Sequence, residues 1–319
     1  MKTLIVGMGA FGFTIAHHIS HLHPEMIFFS YERNETIMKT VHNTRVHPYF
    51  FPGIALPNNV HCIDDILQII KEVNMIIIAI PIPFVEDFIV SIAPHIQSGV
   101  IFLNCSKGID SRTLHTVSDM LAENIKEIPY SYAVLSGGMI ASELISGAPL
   151  GATVGFSDSE KITSIRNIFE SPKLALSFTS EYKNIELFGA IKNIFALYTG
   201  YLEGKGLGMS TVGYAISQLY RELPELLALL GGSTEIHFSD FALGGDLIAT
   251  CFGESRNRYF GQLVGSGKTS LEAVEQLRGE KKHAEGYETL RGISAIIQKN
   301  DLVEFQKTVE VFFPKPMNS

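Results

Sequence analysis

The sequence contains few cysteines, no excess of positive charge and no apolar run that could span a membrane. Its three cysteines, Cys62, Cys105 and Cys251, stand far apart, which argues against a metal-binding pair and favours a reducing, cytoplasmic location. The longest apolar run, residues 75–82, includes a proline and is shorter than the roughly 20 residues that a membrane helix needs. The net charge of −8 gives no reason to expect binding to nucleic acid or to an anionic membrane. An anionic small molecule would therefore have to be bound by a local cluster of cations.

The first thirty residues have the order of elements that a dinucleotide-binding unit requires. The strand-like residues 3–6 lead into a glycine-rich turn, and a helix-like stretch, residues 13–23, follows. The first glycine can form the tight turn, the second lets a pyrophosphate approach the backbone, and the third lets helix and strand pack closely. The N–H groups and the positive dipole end of the helix then face the phosphates. The residues predicted to bind a dinucleotide here are Gly7, Gly9, Ala10, Phe11 and Gly12.

The residues after the second strand bear on the choice between the two nicotinamide cofactors. Glu32 follows the apolar run 26–29 and lies about 20 residues after Gly12, as in the dinucleotide-binding fingerprint. Its carboxylate can accept a hydrogen bond from a ribose 2′-hydroxyl, which favours NAD. Arg33 can instead meet a 2′-phosphate, which would favour NADP. Both cofactors therefore remain alternatives.

Further apolar runs predict an α/β domain with a doubly wound sheet over residues 1–181. The runs 75–80 and 100–104 are almost entirely apolar, as in strands that are buried on both faces of a parallel sheet. Helix-like stretches alternate with the strands, which implies right-handed crossovers. In such sheets, ligands bind beyond the carboxyl ends of the strands. The residues that follow strands at this edge include Pro81, Lys107 and Gly137.

Two smaller predictions concern the same domain. Residues 59–63 have the pattern of a weak strand, and Asp64 is predicted to cap a helix that ends near residue 73. His17 and His21 share one face of the first helix and could bind a metal, but no carboxylate or cysteine has a matching spacing. We therefore predict an exposed histidine face and no metal site.

Beyond about residue 181 the pattern becomes helical and predicts an all-α domain over residues 182–319. Apolar side chains cover nearly the whole circumference of a helix from about residue 184 to 198, so this helix is predicted to be buried. A second helix is predicted over residues 212–230, broken or kinked at Pro224. Further helices are predicted over residues 271–277, 286–299 and 302–312.

One lysine and one aspartate interrupt the apolar pattern of this second domain. Lys192 lies in the buried helix, and lysine is almost never fully buried without a partner. Its ammonium either reaches the surface along the apolar stem or exchanges a proton in a cleft. Asp246 follows two glycines and shares a helix face with Thr250. The aspartate caps a helix, contributes to the lysine site, or does both.

Two further cationic segments are candidates for binding a phosphate. The stretch from Ser255 to Arg258 holds two arginines with two hydrogen-bonding side chains, which suits a phosphate clamp but also suits an exposed surface. Lys107 follows a buried strand at the edge of the sheet where ligands bind.

The motifs occur in a definite order along the chain. They are the glycine turn at residues 7–12, Phe51-Pro52-Gly53 with Leu56-Pro57, Ser106-Lys107-Gly108, Ser136-Gly137, Glu186 with Gly189-Ala190-Ile191-Lys192-Asn193, Gly206-Leu207-Gly208, Gly245-Asp246-Leu247 with Thr250-Cys251, Ser255-Arg256-Asn257 with Phe260-Gly261, and Glu285-Gly286 with Thr289. Together they resemble the NAD(P)-dependent glycerol-3-phosphate dehydrogenases of the compact bacterial type. The resemblance covers nearly the whole chain and is highly specific.

The resemblance implies an enzyme that interconverts sn-glycerol 3-phosphate and dihydroxyacetone phosphate and supplies phospholipid synthesis. It implies a Rossmann-like N-terminal domain, a helical C-terminal domain, a homodimer and no metal. Lys192 would be the general acid/base, with Asp246 orienting its ammonium. The groups expected around the reacting carbonyl are Lys107, Asn193, Asp246 and Thr250. The further residues expected to contact the cofactor or the substrate are Pro81, Gly137, Ser255, Arg256, Asn257 and Glu285.

Four positions depart from the pattern of the family. Gly138 replaces the proline of a Ser-Gly-Pro sequence, Met209 stands where aspartate is usual, and Phe11 takes a place often held by tryptophan. Gln218 lies in a segment that replaces a Thr-Arg-Gly sequence. These departures leave two alternatives open: a related dehydrogenase of another small hydroxy acid or phosphorylated alcohol, and a nucleotide-binding paralogue without catalytic activity.

Overall fold

A computed structural model describes residues 1–280 and 282–314. Residues 281 and 315–319, which fall in the predicted domain 182–319, lie outside the described residues. In the part of the chain that the structure describes, no helix is both long enough and apolar enough to cross a membrane.

The chain forms two compact units. The first unit comprises residues 1–107 and 117–182, and the second comprises residues 108–116 and the chain from residue 183 onward. The second unit therefore contains a short segment that lies, in sequence, inside the first.

The first unit is built on one eight-stranded sheet, which confirms the predicted doubly wound α/β fold. The strands are β1 (Thr3–Val6), β2 (Phe28–Tyr31), β3 (Val60–Cys62), β4 (Met75–Ile78), β5 (Val100–Asn104), β6 (Tyr130–Ser136), β7 (Leu150–Phe156) and β8 (Leu174–Thr179). They lie in the order β3-β2-β1-β4-β5-β6-β7-β8, and β1 pairs in parallel with both β2 and β4. The winding direction reverses beside β1, so the turn after β1 lies at the switch point where open sheets bind ligands.

The helices of the first unit connect these strands. They are α1 (Ala10–Leu22), α2 (Glu35–Thr44), α3 (Val85–Ile92), α4 (Val117–Asn124), α5 (Ala141–Ser146) and α6 (Ile162–Phe169). The side chains of Phe13 in α1, Phe28 in β2 and Ile77 in β4 are fully buried in one core. α2 begins after Asn34, whose Oδ1 accepts hydrogen bonds from two main-chain N–H groups of the first turn.

One strand pairing differs from the alternating pattern. β7 runs antiparallel to β6, whereas the other pairs in the sheet are parallel. The helix between them, α5, has 6 residues, and β6 has 7. Such a helix advances the chain by about 9 Å, whereas the strand spans about 23 Å. Because α5 cannot return the chain to the start of β6, the next strand runs back alongside it.

The helix that was predicted over residues 64–73 is wrong. This segment forms two short 3₁₀ turns, Ile66–Gln68 and Ile70–Glu72, and the residue that caps the first of them is Asp65 rather than Asp64. Isoleucine is frequent in this segment and has a weaker helix propensity than leucine. The weak strand predicted just before it is present as β3.

The second unit is helical, as predicted. Its helices are α7 (Tyr182–Gly204), α8 (Met209–Leu229), α9 (Asp246–Phe252), α10 (Arg256–Gly265), α11 (Ser270–Gly279), α12 (Glu285–Lys299) and α13 (Val303–Phe312). A π-helical turn, residues 241–245, leads directly into α9. α8 continues through Pro224, so the predicted break is wrong, and the alternative of a kink at the proline stays a prediction. The buried side chains of Leu223, Leu226 and Leu227 hold the helix together around the proline.

α7 and α10 approach each other closely at four glycines. A Cβ atom on Gly200 would overlap the carbonyl oxygen of Arg258, and one on Gly261 would overlap the carbonyl oxygen of Leu197. Gly204 and Gly265 make equivalent contacts one turn further on. The two backbones therefore touch, which fixes α10 relative to the C-terminal end of α7.

Candidate functional site

The glycine turn of the first unit has the geometry that its three glycines allow. Gly7 adopts a φ of +96°, and a Cβ there would overlap the carbonyl oxygen of Ala79. A Cβ on Gly12 would overlap the carbonyl oxygen of Gly7. Gly9, in contrast, faces open space, and as the N-cap of α1 it has no side chain to accept hydrogen bonds from the N–H groups of the first turn. This cradle of open backbone at a helix N-terminus fits the pyrophosphate of NAD or NADP, and Ala10 and Phe11 supply the first turn of that helix.

Glu32 directly follows β2 and binds the glycine turn itself. Its Oε2 accepts a hydrogen bond from the N–H of Met8 at 2.8 Å, and its Oε1 accepts one from the N–H of Asn34 at 2.8 Å. Beside it lies a cavity of about 470 Å³ whose lining includes Arg33, Lys39 and two further acidic side chains. Since each carboxylate oxygen can accept more than one hydrogen bond, the contact with a ribose remains a prediction. The mixed charge of the cavity keeps NAD and NADP open as alternatives.

His47, which no sequence motif marked as a site residue, also binds the glycine turn. The residue is 3% exposed. Its Nε2 bonds to the carbonyl oxygen of Met8 at 2.9 Å, and its Nδ1 accepts hydrogen bonds from the N–H groups of Tyr49 and Phe50, both at 3.1 Å. The only sequence signal was the aromatic, proline-rich composition of this loop, which indicated that the loop packs on something.

The carboxyl ends of β4, β5 and β6 meet at one edge of the sheet. The hydroxyl of Ser106, after β5, donates to the carbonyl oxygen of Ile80, which immediately precedes Pro81. The Nζ of Lys107 donates to the carbonyl oxygen of Gly137, after β6, at 2.9 Å. These residues from three strands therefore lie together, in the place where the sheet pattern put them.

In the second unit, Lys192 of α7 forms an ion pair with Asp246, the first residue of α9. The two residues are 5% and 3% exposed, so the alternative of a lysine that reaches the surface is wrong. Asp246 does not cap α9, because Gly245 holds the N-cap position. Besides pairing with Lys192, the Asp246 carboxylate accepts a hydrogen bond from the Thr250 hydroxyl at 3.4 Å. A buried ion pair loses its hydration and is weak evidence for stability.

The starts of α10 and α12 meet beside Asn193, the residue that follows Lys192 in α7. The Oδ1 of Asn257 accepts a hydrogen bond from the N–H of Gly286 at 2.9 Å. A Cβ on Gly286 would lie only 2.6 Å from the carbonyl oxygen of Asn193, the neighbour of Lys192. The Arg256 Nη2 lies 3.5 Å from Glu285 Oε1, and both side chains are about half exposed. Ser255 caps α10.

Of the two arginines predicted to form a phosphate clamp, Arg258 is engaged by other groups of the chain. Arg258 binds both carboxylate oxygens of Glu203 on α7, at 2.8 and 2.9 Å, and the carbonyl oxygens of Phe252 and Gly253. Burial alone would raise the pKa of Glu203, but hydrogen bonds from Arg258 and Gln262 outweigh it and lower the pKa. Arg258 therefore fastens α10 to α7, and Arg256 is the arginine of this segment that is available to a ligand.

The histidine face of α1 is more enclosed than predicted. His18 and His23 bond to the carbonyl oxygens of Phe169 and Ile168 at the end of α6. Burial, together with the neighbouring histidines, lowers the pKa of His17 to about 4. Within residues 1–280 and 282–314, no group of three or more histidine, cysteine, aspartate or glutamate side chains is placed to hold a metal ion.

Comparison with known protein families gives matches over both units. The model of the NAD-dependent glycerol-3-phosphate dehydrogenase N-terminus matches residues 2–162, and that of the C-terminus matches residues 181–312. A glycerol-3-phosphate dehydrogenase [NAD(P)+] of Nitratidesulfovibrio vulgaris is 26% identical over 300 residues, covering 94% of this chain and 89% of the relative. One from a Geobacter species is 28% identical over 300 residues, covering 93% and 88%.

Solved structures give the same fold. The glycerol-3-phosphate dehydrogenase of Coxiella burnetii matches with a TM-score of 0.83 at 22% identity, over 98% of this chain and 94% of that one. The enzyme of Plasmodium falciparum matches with a TM-score of 0.88 at 20% identity, over 98% and 91%. With the family models matching both halves of the sequence, the chain belongs to the NAD-dependent glycerol-3-phosphate dehydrogenase family.

Proposed function

We propose that this chain is an oxidoreductase that interconverts sn-glycerol 3-phosphate and dihydroxyacetone phosphate with NAD or NADP. The observation that carries the proposal is the buried ion pair of Lys192 with Asp246, in a chain that belongs to this family. A buried ammonium that pairs with a carboxylate at the start of α9 can donate a proton and accept it again.

In this proposal the two units have different tasks, with residues 1–181 as the cofactor-binding domain and residues 182–319 as the substrate-binding domain. The bound nicotinamide cofactor supplies or accepts the hydride. The glycine turn holds the pyrophosphate through main-chain N–H groups. Glu32 binds the 2′-hydroxyl of the adenosine ribose in NAD, or Arg33 binds the 2′-phosphate in NADP. Lys107, Pro81 and Gly137 contribute contacts from the carboxyl edge of the sheet.

The proton is the part of the reaction that the chain itself must manage. When a ketone is reduced, negative charge develops on its oxygen, and the Lys192 ammonium stabilises this charge and donates the proton. The Asp246 carboxylate, itself bonded by Thr250, stabilises and orients the ammonium. In the reverse direction the neutral lysine takes the proton from the hydroxyl group. Asn193 is proposed to add a hydrogen bond near the same oxygen.

The phosphate of the substrate is assigned to the start of α10. Arg256 is about half exposed and presents a planar set of N–H donors that matches a phosphate group. Ser255 and Asn257 lie beside it and complete this part of the proposed site, whereas Glu285, which pairs with Arg256, is assigned to the cofactor. Holding the phosphate fixes the position of the reacting carbon relative to Lys192.

The wider setting belongs to the same proposal. The product, glycerol 3-phosphate, would feed phospholipid synthesis, and the enzyme would work as a homodimer in the cytoplasm. The free cysteines Cys62, Cys105 and Cys251 suit a reducing compartment. Burial raises the pKa of the Cys105 and Cys251 thiols to about 12, so neither is expected to be a reactive nucleophile.

A spectrophotometric assay tests the proposal directly. Wild-type protein should oxidise NADH or NADPH when dihydroxyacetone phosphate is added, and comparison of the two reduced cofactors decides between NAD and NADP. Glu32→Ala should narrow any preference for NADH, whereas an unchanged ratio would remove Glu32 from the ribose. Oxidation with another small ketone or keto acid, but not with dihydroxyacetone phosphate, would favour the related dehydrogenase.

Two departures from the family keep the non-catalytic alternative in view. Met209, where aspartate is usual, begins α8 with its side chain exposed. Gln218 lies on the same helix and accepts a hydrogen bond from Arg221 at 3.4 Å. If wild-type protein binds NADH but oxidises none with any ketone phosphate, the non-catalytic reading replaces the proposed enzyme.

A further inference from the structure

The peptide of Met8, between the first two glycines of the turn, is held from both sides by ionisable side chains. On one side, Glu32 Oε2 accepts a hydrogen bond from the Met8 N–H at 2.8 Å. On the other side, His47 Nε2 bonds to the Met8 carbonyl oxygen at 2.9 Å. The Met8 side chain is fully buried, so the peptide is fixed by its own packing as well. Both clamping residues come from segments that follow the first βαβ crossover, not from the turn.

The contacts of His47 determine which form of the imidazole is present. A carbonyl oxygen can only accept, so Nε2 must carry the proton that is donated to Met8. Nδ1 receives the N–H groups of Tyr49 and Phe50, both at 3.1 Å, so it must be unprotonated. Holding the Met8 carbonyl oxygen and the two N–H groups of the loop at the same time therefore requires a neutral imidazole with its proton on Nε2. A proton added to Nδ1 would face two N–H donors and break both hydrogen bonds.

His47 also anchors the loop that follows α2. We call residues 47–53 the aromatic loop. The His47 ring packs against Phe13 of α1, with centroids 5.5 Å apart, and against Phe50, with centroids 4.8 Å apart. The side chains of Tyr49 and Phe50 are otherwise 64% and 42% exposed. Loss of the two hydrogen bonds to Nδ1 would therefore loosen a loop that has little other burial to hold it.

Among the residues that the structure describes, few charged groups lie around His47. Glu32 is the charged group whose field acts on the imidazole, and it favours the protonated form. The guanidinium of Arg45 points to the carbonyl oxygens of Leu56 and Pro57 instead. The phenol of Tyr49 belongs to a ring whose centroid is 6.0 Å from that of His47. Burial lowers the pKa of His47 and outweighs both the hydrogen bond to the Met8 carbonyl oxygen and the charge of Glu32, which favour the protonated form. The neutral form agrees with the two hydrogen bonds that Nδ1 accepts.

We propose that His47 is a positioning residue for the dinucleotide: only in its neutral form does it hold the aromatic loop and, together with Glu32, the Met8 peptide at the same time, and so it couples cofactor binding to its own deprotonation. The inference rests on the proposed dinucleotide site, because the Met8 peptide lies between the glycines assigned to the pyrophosphate. Cofactor bound to the ordered turn favours neutral His47, and protonation of His47 weakens cofactor binding by the same factor.

Three substitutions separate the two halves of the clamp. His47→Gln can keep a donor for the Met8 carbonyl oxygen but loses the Nδ1 acceptor. His47→Asn can keep an acceptor for the N–H groups of the aromatic loop but loses the Nε2 donor. His47→Ala loses both. Titration calorimetry with NAD⁺ and with NADP⁺ at pH 7.5 should give a Kd raised about tenfold for Ala and about threefold for Asn and Gln, as expected for the loss of such hydrogen bonds.

The pH dependence distinguishes positioning from a merely structural role. For wild type, Kd should rise as the pH is lowered from 7.5 to 5.5, by at most about tenfold per pH unit for one proton. Calorimetry at pH 6 in buffers of different ionisation enthalpy should detect proton release on binding. His47→Asn and His47→Gln remove this component. His18→Asn is the matched control: it removes a partly buried histidine that bonds to Phe169 in the same unit, and it should keep the wild-type pH dependence.

The outcomes separate this inference from the proposed function. If wild type binds neither NAD⁺ nor NADP⁺ at any pH, the dinucleotide site itself is refuted. If wild type binds one of them, but His47→Asn and His47→Gln show the same Kd, pH dependence and proton release as wild type, only the role of His47 is refuted. Thermal unfolding of each variant identifies a loss of binding that is due to misfolding, and the two conservative variants decide the question if His47→Ala does not fold.

Discussion

The two units build their candidate sites from different materials. In the first unit the glycine turn presents main-chain groups, and its residues lie close together in sequence, from Gly7 to Glu32. In the second unit the candidate site is a set of side chains, such as Lys192, Asp246 and Asn257, that the chain brings together from separate helices. A site made of backbone is specified by spacing, whereas a site made of side chains is specified by packing. The cofactor site of the first unit is therefore sensitive to changes in local backbone geometry. The side-chain site of the second unit is sensitive to the loss of single functional groups or of helix contacts.

The strongest test of this contrast is Lys192→Ala. Because the lysine is the proposed proton donor, kcat for reduction of dihydroxyacetone phosphate should fall about a hundredfold to ten-thousandfold. Binding of NADH should remain, since the glycine turn lies in the other unit. Stopped assays and NADH fluorescence titration measure the two properties.

The matched control is Lys205→Ala, which removes the exposed lysine just after α7. It should leave both kcat and NADH binding unchanged. A Lys192→Ala enzyme that turns over at the wild-type rate would rule out the proton role. One that no longer binds NADH would show that the two sites are not independent.

The next largest effect is expected for Gly200→Ala, which tests the dependence on helix packing. The new Cβ would overlap the Arg258 carbonyl oxygen and push α10 away from α7. We expect a loss of about 3 kcal/mol in the free energy of unfolding, as for overpacked cores, and a lower kcat because Arg256 and Asn257 move with α10. Urea denaturation measures the first effect.

Gly213→Ala serves as the comparison, since Gly213 lies inside α8 and a Cβ there meets nothing within 4 Å. This change should be neutral or stabilising by about 0.5–1 kcal/mol, because alanine favours the helix. Equal unfolding free energies for the two variants would mean that the α7–α10 contact is not tight in solution.

A smaller and more selective effect is expected for Arg256→Ala. Loss of charge-assisted hydrogen bonds to the phosphate should raise KM for dihydroxyacetone phosphate about tenfold to a hundredfold, with little change in KM for the cofactor. Arg256→Lys should restore part of the loss, because it keeps the charge but not the two-pronged geometry. Steady-state kinetics with unphosphorylated dihydroxyacetone provide the control. An equal loss with that ketone would refute a phosphate contact.

The smallest effect concerns the first unit and its histidines. The pKa of His17 is lowered from its ordinary value of 6.5 to about 4 in the folded chain, so the unfolded chain binds a proton between these values that the folded chain does not. Stability should therefore fall as the pH is lowered from 6.5 towards 4 and then level off. His17→Gln should make the melting temperature less sensitive to pH in this window. An unchanged pH profile would show that His17 titrates normally.

How far the sequence predicted these features follows the same contrast. The strands, the glycine turn and the position of Glu32 were predictable because each depends on residues that are neighbours in sequence. The buried helix around Lys192 was predictable from its all-round apolar pattern. The pairing of Lys192 with Asp246 was only suggested, since no periodicity within one helix specifies its contact with another.

The features that were missed depend on tertiary contacts. Arg258 was predicted as a second phosphate ligand, because the residues next to it in sequence do not indicate its contact with the distant carboxylate of Glu203. The continuation of α8 through Pro224 results from packing that overrides a local preference. The close contact of α7 with α10 does have a signal in the sequence: Gly200 with Gly204, and Gly261 with Gly265, repeat at four residues, which is the spacing of a close helix contact.

The short stretch 108–116 sets limits on how the molecule can be taken apart. It follows Lys107 in the chain and packs among helices that come much later in the sequence. The Thr116 hydroxyl accepts a hydrogen bond from the Lys183 ammonium. A methyl group on Gly292 would come within 2.9 Å of the Ser111 carbonyl oxygen. A truncation that begins at residue 183 would discard part of its own interior. If only the chain from residue 183 onward were exchanged between two relatives, residues 108–116 would still come from the other relative and would pack against helices that they do not match. Chimaeras of this family should therefore fold well only when both segments are exchanged together.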